Sequence, residues 1–201
     1  MNRRLRTLAL ALAAGIGLAL LVVTVVLPRF QPHVFSGTVI QSQTPAPTVD
    51  LITSTGERAS LSDFEDQVVV IYFGYTFCPD VCPTTLSTLK KAVDKLGDAS
   101  DDVQVIMVSV DPARDTPDLL GEYLGFFDPR FLGMTGTEAE VAEVATVYGV
   151  FFQAEEGTVD TGYLVSHTAN LRVVDREGHL KLIIPPDATS DQIASDLDYL
   201  L

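Results

Sequence analysis

Cys78 and Cys82 are the only cysteines of this 201-residue chain, and they stand four apart in Tyr75-Thr76-Phe77-Cys78-Pro79-Asp80-Val81-Cys82-Pro83. A residue that precedes proline is pushed out of the α region, so the sequence predicts neither cysteine to be helical. Pro83 then takes the first position of a helix and Cys82 its cap. Pro79-Asp80-Val81 becomes a turn that lets both sulfurs face one point. The helix amino terminus beside Cys82 favours the thiolate of that residue. Paired thiolates select soft ions, copper(I), or zinc if geometry allows. The same pair can close instead as a disulfide, structural or redox-active. A structural bond across so short a loop would stabilise little, and C-x-x-x-C is not the C-x-x-C of thioredoxins.

Two cysteines rarely complete a copper site, and an imidazole is the obvious addition. Three histidines are available. His33 falls in a polar, Pro-containing stretch near the amino terminus. His179 follows a turn and opens a strand. His167 falls in a loop before the last pair of strands. Residue chemistry alone leaves the choice open, since a loop histidine is usually just solvated.

These residues need elements to position them. Val68 to Tyr75 and Val103 to Val110 are continuous apolar, β-rich runs, which read as strands buried on both faces. TVDLITSTGERASLS (48–62) reads as a hairpin turning around Ser54–Gly56. Thr84 to Leu96 carries Leu86, Leu89, Val93 and Leu96 on one helical face. Thr116-Pro117 starts a second helix bearing Leu120, Tyr123, Leu124 and Phe127. Thr137 to Glu140 is a capping box for a third, with Val141, Val144, Ala145 and Tyr148 inward and Gly149 as its stop. Strands follow at Ala169–Val174 and Leu180–Ile184, then a helix from near Ser190 that buries Ile193 and Leu197. Strand–helix alternation closed by a hairpin predicts an α/β, thioredoxin-like three-layer sandwich with an added amino-terminal hairpin. The cysteine turn then sits at the carboxyl end of a buried strand, where open α/β sheets place their sites.

Composition narrows the setting. The net charge is −14, and Arg3, Arg4, Arg6 and Arg29 sit in a first segment with no acidic residue. The remainder holds 9 basic and 27 acidic groups, a net of −18, which phosphates would repel, so no nucleic-acid partner is expected. Thr7 to Pro28 is uncharged and is expected to form one transmembrane helix. The arginines before it keep its tip cytoplasmic and send the rest outside. The expected organisation is a basic tip and anchor over 1–30, a tether over 31–46 and a metal-binding domain over 47–201.

YFGYTFCPDVCPTTL (72–86), SVDPARDTP (109–117) and FDPRFLGMTGT (127–137) resemble the signature of the Sco/SenC family, with similarity from about Leu51 to Leu201. The resemblance implies a thioredoxin-like fold and copper bound by Cys78, Cys82 and one distal histidine. His167, in GYLVSHTANLRVVD, stands in a context similar to that of the family's ligand histidine. It also implies a copper metallochaperone that assembles the dinuclear copper centre of cytochrome c oxidase subunit II and meets other copper carriers. The expected location is the bacterial inner membrane, with a single pass and the domain in the periplasm. The alternative is a thiol–disulfide oxidoreductase using Cys78 and Cys82 to reduce an exported partner. One departure stands out. Relatives carry acidic residues just before this histidine and a few residues earlier, where this chain has Ser166 and Gly162. Asp160 and Asp80 are the candidate substitutes. Asp111, Arg114 and Asp115 read as structural groups of their loop.

Overall fold

The computed structural model describes residues 3–26, 32–41, 44–157 and 162–201. The chain divides into two compact units, Met1–Val34 and Phe35–Leu201. In the first, helix α1 (Arg3–Leu21) passes into a π-helical stretch, Val22–Val26. Among the described residues no helix is long and apolar enough to cross a membrane. The uncharged part of α1, from Thr7 to Leu21, reaches only about 22 Å at 1.5 Å per residue, against a hydrocarbon core of about 30 Å. The span expected over Thr7–Pro28 is therefore not carried by one regular α-helix, and its end, from residue 27, lies outside the described residues.

The second unit is built on one eight-stranded sheet. In chain order its elements are β1 (Thr38–Val39), β2 (Asp50–Thr53), β3 (Arg58–Ser60), β4 (Val68–Gly74), α2 (Val81–Lys95), β5 (Val103–Ser109), α3 (Pro117–Gly125), β6 (Leu132–Thr135) and α4 (Glu138–Val147). There follow β7 (Phe152–Ala154), β8 (Val165–His167), β9 (Leu171–Val174), β10 (Leu180–Ile184) and α5 (Ser190–Leu200). The strand order is β1-β10-β9-β4-β5-β6-β2-β3, while β7 and β8 pair apart from it. β4, β5 and β6 run parallel, and β9, β10 and β1 add antiparallel on one side. The β2–β3 hairpin adds antiparallel on the other, through β2 and β6.

The apolar runs explain the centre. All seven residues of β4 are buried, as are all but Gln104 of β5. Tyr72, Phe73, Ile71, Ile106 and Met107 are among the largest fully buried side chains. Burying each such side chain stabilises the fold by about 1.5–3 kcal/mol. α2 packs beside α5, and α3 lies on β6. The predicted caps form: Thr116 accepts the Leu119 N–H at 3.3 Å, and Thr137 and Glu140 make the reciprocal box that starts α4.

Four strands, in three places, were not predicted. β6 is short and contains Gly133, a weak strand former. Yet a Cβ at Gly133 would lie 2.7 Å from the Leu120 Cβ, so the bare backbone is what lets α3 sit down on the sheet. β1 comes from the stretch read as tether: Thr38 and Val39 pair with Ile183 and Leu182, and the Ile40 N–H reaches the Lys181 carbonyl at 2.7 Å. The third unpredicted feature, the β7–β8 hairpin, bears on the site.

Candidate metal centre

The chain leaves the sheet after Gly74 and runs through a loop to α2. Cys78 lies half-buried on that loop, its N–H directed at the Tyr75 carbonyl at 3.4 Å. Cys82 is fully buried, and both thiols are free. The expectation for Cys82 needs correction. α2 begins at Val81 with Asp80 as its cap residue, so Cys82 lies inside the first turn and Pro83 just after it. The first-turn amides have no intrahelical acceptor, so proline loses no bond there. That freedom outweighs the backbone preference of the residue before it.

This offset reverses the expected electrostatics. The opening amides of α2 reach Cys78 rather than Cys82, with the Cys82 N–H 3.5 Å from the Cys78 sulfur. Burial raises the Cys78 thiol, but the backbone N–H groups of Asp80, Cys82 and Val81, together with the Cys82 side chain, outweigh it and leave the pKa lowered. The Cys82 sulfur points into the core. Burial pushes it up to about 12, although the Tyr72 hydroxyl donates to it at 3.2 Å. Thus Cys78 is the thiolate-prone member of the pair.

His167 was expected in a loop. It instead ends β8, paired with Phe152 of β7, and the Thr168 N–H bonds the Phe151 carbonyl at 2.9 Å. A strand holds the ring more firmly than a loop would. Tyr72 and Tyr75 meet it edge-on, with centroids 6.2 and 5.9 Å away. Its Nδ1 lies 3.3 Å from the Thr168 carbonyl, an acceptor only, so the proton belongs on Nδ1 and the Nε2 lone pair is free. Burial lowers the pKa of the ring and keeps it neutral.

Nε2 faces the Cys82 sulfur at 3.7 Å, and the ligand atoms of Cys78, Cys82 and His167 all lie within 4.8 Å of one another. A metal about 2.3 Å from sulfur and about 2.0 Å from nitrogen separates those two atoms by about 3.5–3.8 Å at tetrahedral to trigonal angles. The residues therefore fit a metal ion with little movement, and their softness suits copper or zinc. Cys78 and His167 line a shallow cavity of about 330 Å³ together with Asp80, Glu155 and Ser166, while Cys82 is buried. Cavity size alone would not find this site: the hollow lined by Pro45, Phe64, Val69 and Asp175 measures about 500 Å³ and holds no cysteine.

The other residues singled out by sequence sort clearly. His33 belongs to the first unit. Asp175, Glu177 and His179 also bring their ligand atoms within 4.8 Å of one another. There Asp175 already accepts the His179 N–H at 2.7 Å and pairs with Lys181 at 3.1 Å, as a turn-holding carboxylate does. Asp160 lies outside the described residues. Asp80 lines the cavity. A second carboxylate was missed: Glu155, just past β7, accepts a hydrogen bond from the Ser166 hydroxyl beside His167. Its partner comes from across a hairpin, so no spacing along the chain announces it. Asp115 is fully buried and accepts Ser109 Oγ at 2.6 Å and Thr76 Oγ1 at 2.6 Å, which ties the cysteine loop to the end of β5. Asp111, Arg114 and Asp115 thus hold loops, as the sequence suggested.

A family model described as SCO1/SenC matches residues 40–201. The mitochondrial SCO1 homolog of Homo sapiens is 34% identical over 149 residues, which cover 73% of this chain and 50% of that protein. A putative copper-binding protein of Stutzerimonas stutzeri is 33% identical over 137 residues, 67% of this chain and 66% of that one. The chain spans between half and two thirds of the length of these curated relatives. Among solved structures, apo Sco1 of Thermus thermophilus matches with a TM-score of 0.75 at 44% identity, covering 84% of this chain and 98% of that one. ScoI of Bradyrhizobium japonicum, solved with copper bound, matches with a TM-score of 0.72 at 35% identity, covering 79% and 100%. The sheet order, the cysteine turn and these likenesses lead to one assignment: the chain belongs to the SCO1/SenC family.

Proposed function

We propose that this protein is a copper metallochaperone that holds its cargo with Cys78, Cys82 and His167. The observation that carries the reading is the convergence of two thiols and a neutral imidazole nitrogen within 4.8 Å of one another. Relatives solved with copper bound support the choice of metal. Family membership supports a role in cytochrome c oxidase assembly, with delivery to the dinuclear copper centre of subunit II as its specific form and other copper carriers as further partners. Ligand exchange would begin at half-buried Cys78 and end at buried Cys82. The acidic domain attracts cations and suits a partner with a basic rim.

We read residues 1–30 as the anchor, 31–46 as the tether, whose Thr38–Val39 joins the sheet as β1, and 47–201 as the copper-binding domain, single-pass in a bacterial inner membrane and facing the periplasm. Uncharged Thr7–Leu21, lengthened by the helical stretch Val22–Val26, supports the anchor, and Arg3, Arg4 and Arg6 support its orientation.

A second reading, thiol–disulfide oxidoreductase, is favoured by the asymmetry of the thiols. An accessible, low-pKa Cys78 beside a buried Cys82 has the form of an attacking and resolving pair. Titrating reduced wild type and His167→Ala with copper(II), followed by sulfur-to-copper charge-transfer absorption, separates the readings. The metallochaperone loses most of its copper(II) affinity in His167→Ala but keeps a reversible Cys78–Cys82 couple, whereas His33→Ala and His179→Ala bind as wild type. If none of the three histidines matters, the three-ligand site fails and the oxidoreductase is the better reading.

A further inference from the structure

The candidate ligands arrive on two segments, the loop after β4 with the first turn of α2, and the hairpin β7–β8. A third segment, Asp111-Pro112-Ala113-Arg114-Asp115 after β5, touches both. On the cysteine side, the Arg114 guanidinium carbon lies 4.7 Å from the centre of the Phe77 ring and 5.9 Å from that of Tyr75. On the hairpin side, it lies 3.7 Å from the centre of the Tyr163 ring. The Tyr163 hydroxyl donates to Asp111 at 2.6 Å, and Asp111 in turn accepts the Arg114 Nε–H, so cation, carboxylate and phenol form one closed set. A parallel tie runs from Tyr75, whose hydroxyl accepts the Val165 N–H at 3.2 Å. The guanidinium plane is thus packed between a ring one residue before Cys78 and a ring four residues before His167.

Two details argue that its location matters more than its own stability. Arg114 Nη2 is buried and finds no hydrogen-bond partner among the described residues. A donor left in that state weakens a fold, and such exceptions gather at functional sites. Gly162, beside Tyr163, has a φ of +64°, and a Cβ built there would stand 3.4 Å from Arg114 Nη1, so this backbone lies close against the guanidinium. A flat, weakly hydrated cation stacks between two rings, whereas an ammonium offers only a point charge.

We propose that Arg114 is a positioning residue: packed between Phe77 and Tyr163, it fixes the histidine-bearing hairpin over the cysteine turn. Its effect on copper rests on the reading of Cys78, Cys82 and His167 as ligands; its effect on the hairpin does not. The test uses the full-length reduced protein without metal, then with copper(II). In hydrogen exchange, the amides of Glu155 and Thr168, bonded to Leu164 and Phe151 across the hairpin, are the reporters. Arg114→Gln is expected to speed their exchange by about tenfold, equivalent to about 1.4 kcal/mol, while the amides of β5 hold their rates. Arg114→Lys keeps the charge but not the plane, so it should resemble Arg114→Gln. For copper(II), Arg114→Gln should weaken binding by about tenfold in the wild-type background and leave it nearly unchanged in His167→Ala, since a residue acting through the imidazole has nothing to act on once the ring is gone.

Wild-type exchange at the hairpin, equal acceleration across β5, or full rescue by lysine would each overturn the proposal. If Arg114→Gln does not fold, Tyr163→Leu removes the ring from the other side, and wild-type hairpin exchange in that variant overturns it equally. If His167→Ala itself leaves copper(II) binding intact, the ligand assignment falls, and the exchange measurements alone decide the role of Arg114.

Discussion

Alkylation of the reduced protein should strike Cys78 long before Cys82, and the structure sets the size of the difference. Cys78 is half-buried with a pKa lowered from the ordinary thiol value of 9.0, so more than about 1% of it is thiolate at pH 7. Cys82, pushed up to about 12, is thiolate at about one part in 10⁵. The population ratio is therefore about 10³ or more. A more basic thiolate attacks faster, and a Brønsted slope of about 0.5 over three pKa units returns about 30-fold to Cys82. The net preference for Cys78 is at least about 30-fold, before the complete burial of Cys82 slows it further. The assay is timed treatment with iodoacetamide, quenching and peptide mass analysis. The pH dependence has a definite sign: Cys78 labelling rises with pH about a midpoint below that of an ordinary thiol, while Cys82 labelling keeps rising into strong alkali. Equal rates, or Cys82 first, would refute both the burial of that sulfur and the role given to the opening amides of α2.

Three further outcomes are expected. Oxidising Cys78 and Cys82 to a disulfide removes both thiolates, so equilibrium dialysis should find copper bound by the reduced protein and not by the oxidised one; equal retention would place the metal elsewhere on the acidic surface. Gly74→Ala puts a Cβ 2.6 Å from Tyr72 Cε1 and 3.1 Å from Cys82 Sγ. Such overpacking should cost about 1–3 kcal/mol in urea unfolding and displace the buried sulfur, seen as altered copper charge-transfer bands, and an unchanged midpoint would show that the neighbouring side chains yield freely. Amino-terminal sequencing of the native protein should begin before Thr7; a start near Ala14 or beyond Leu27 would remove the anchor.

What the sequence made legible, and what it hid, follows from the range of the forces involved. The buried strands β4 and β5, the cap at Thr116, the box at Thr137–Glu140 and the β2–β3 turn rest on neighbours within a few residues, and each formed where its residues place it. Cys78 and Cys82 were readable for the same reason. The start of α2 was misjudged by a short step, because pre-proline sterics is a preference and the first turn has no hydrogen bond for proline to break. That small shift decided which sulfur the opening amides serve, and so reversed the expected thiolate. The β7–β8 hairpin was not legible: Phe152–Ala154 and Val165–His167 are short, and their pairing depends on contacts across many residues.

The same hairpin accounts for the departure at Ser166. A carboxylate beside His167 need not sit next to it in sequence when a facing strand can supply one. Ser166 donates to Glu155, which brings a negative charge to the mouth of the cavity from the opposite strand end. Spatially the site holds two carboxylates at its rim, Asp80 from the cysteine loop and Glu155 from the hairpin, each carried by a segment that also carries a candidate ligand or its pair. A carboxylate so placed would favour an incoming cation at the mouth of the cavity. Beyond the candidate ligands themselves, Tyr75, Asp111, Arg114 and Tyr163 tie the two segments together. The spacing of sulfur and nitrogen in this protein is therefore a property of tertiary contacts, even though every ligand type can be read from the chain.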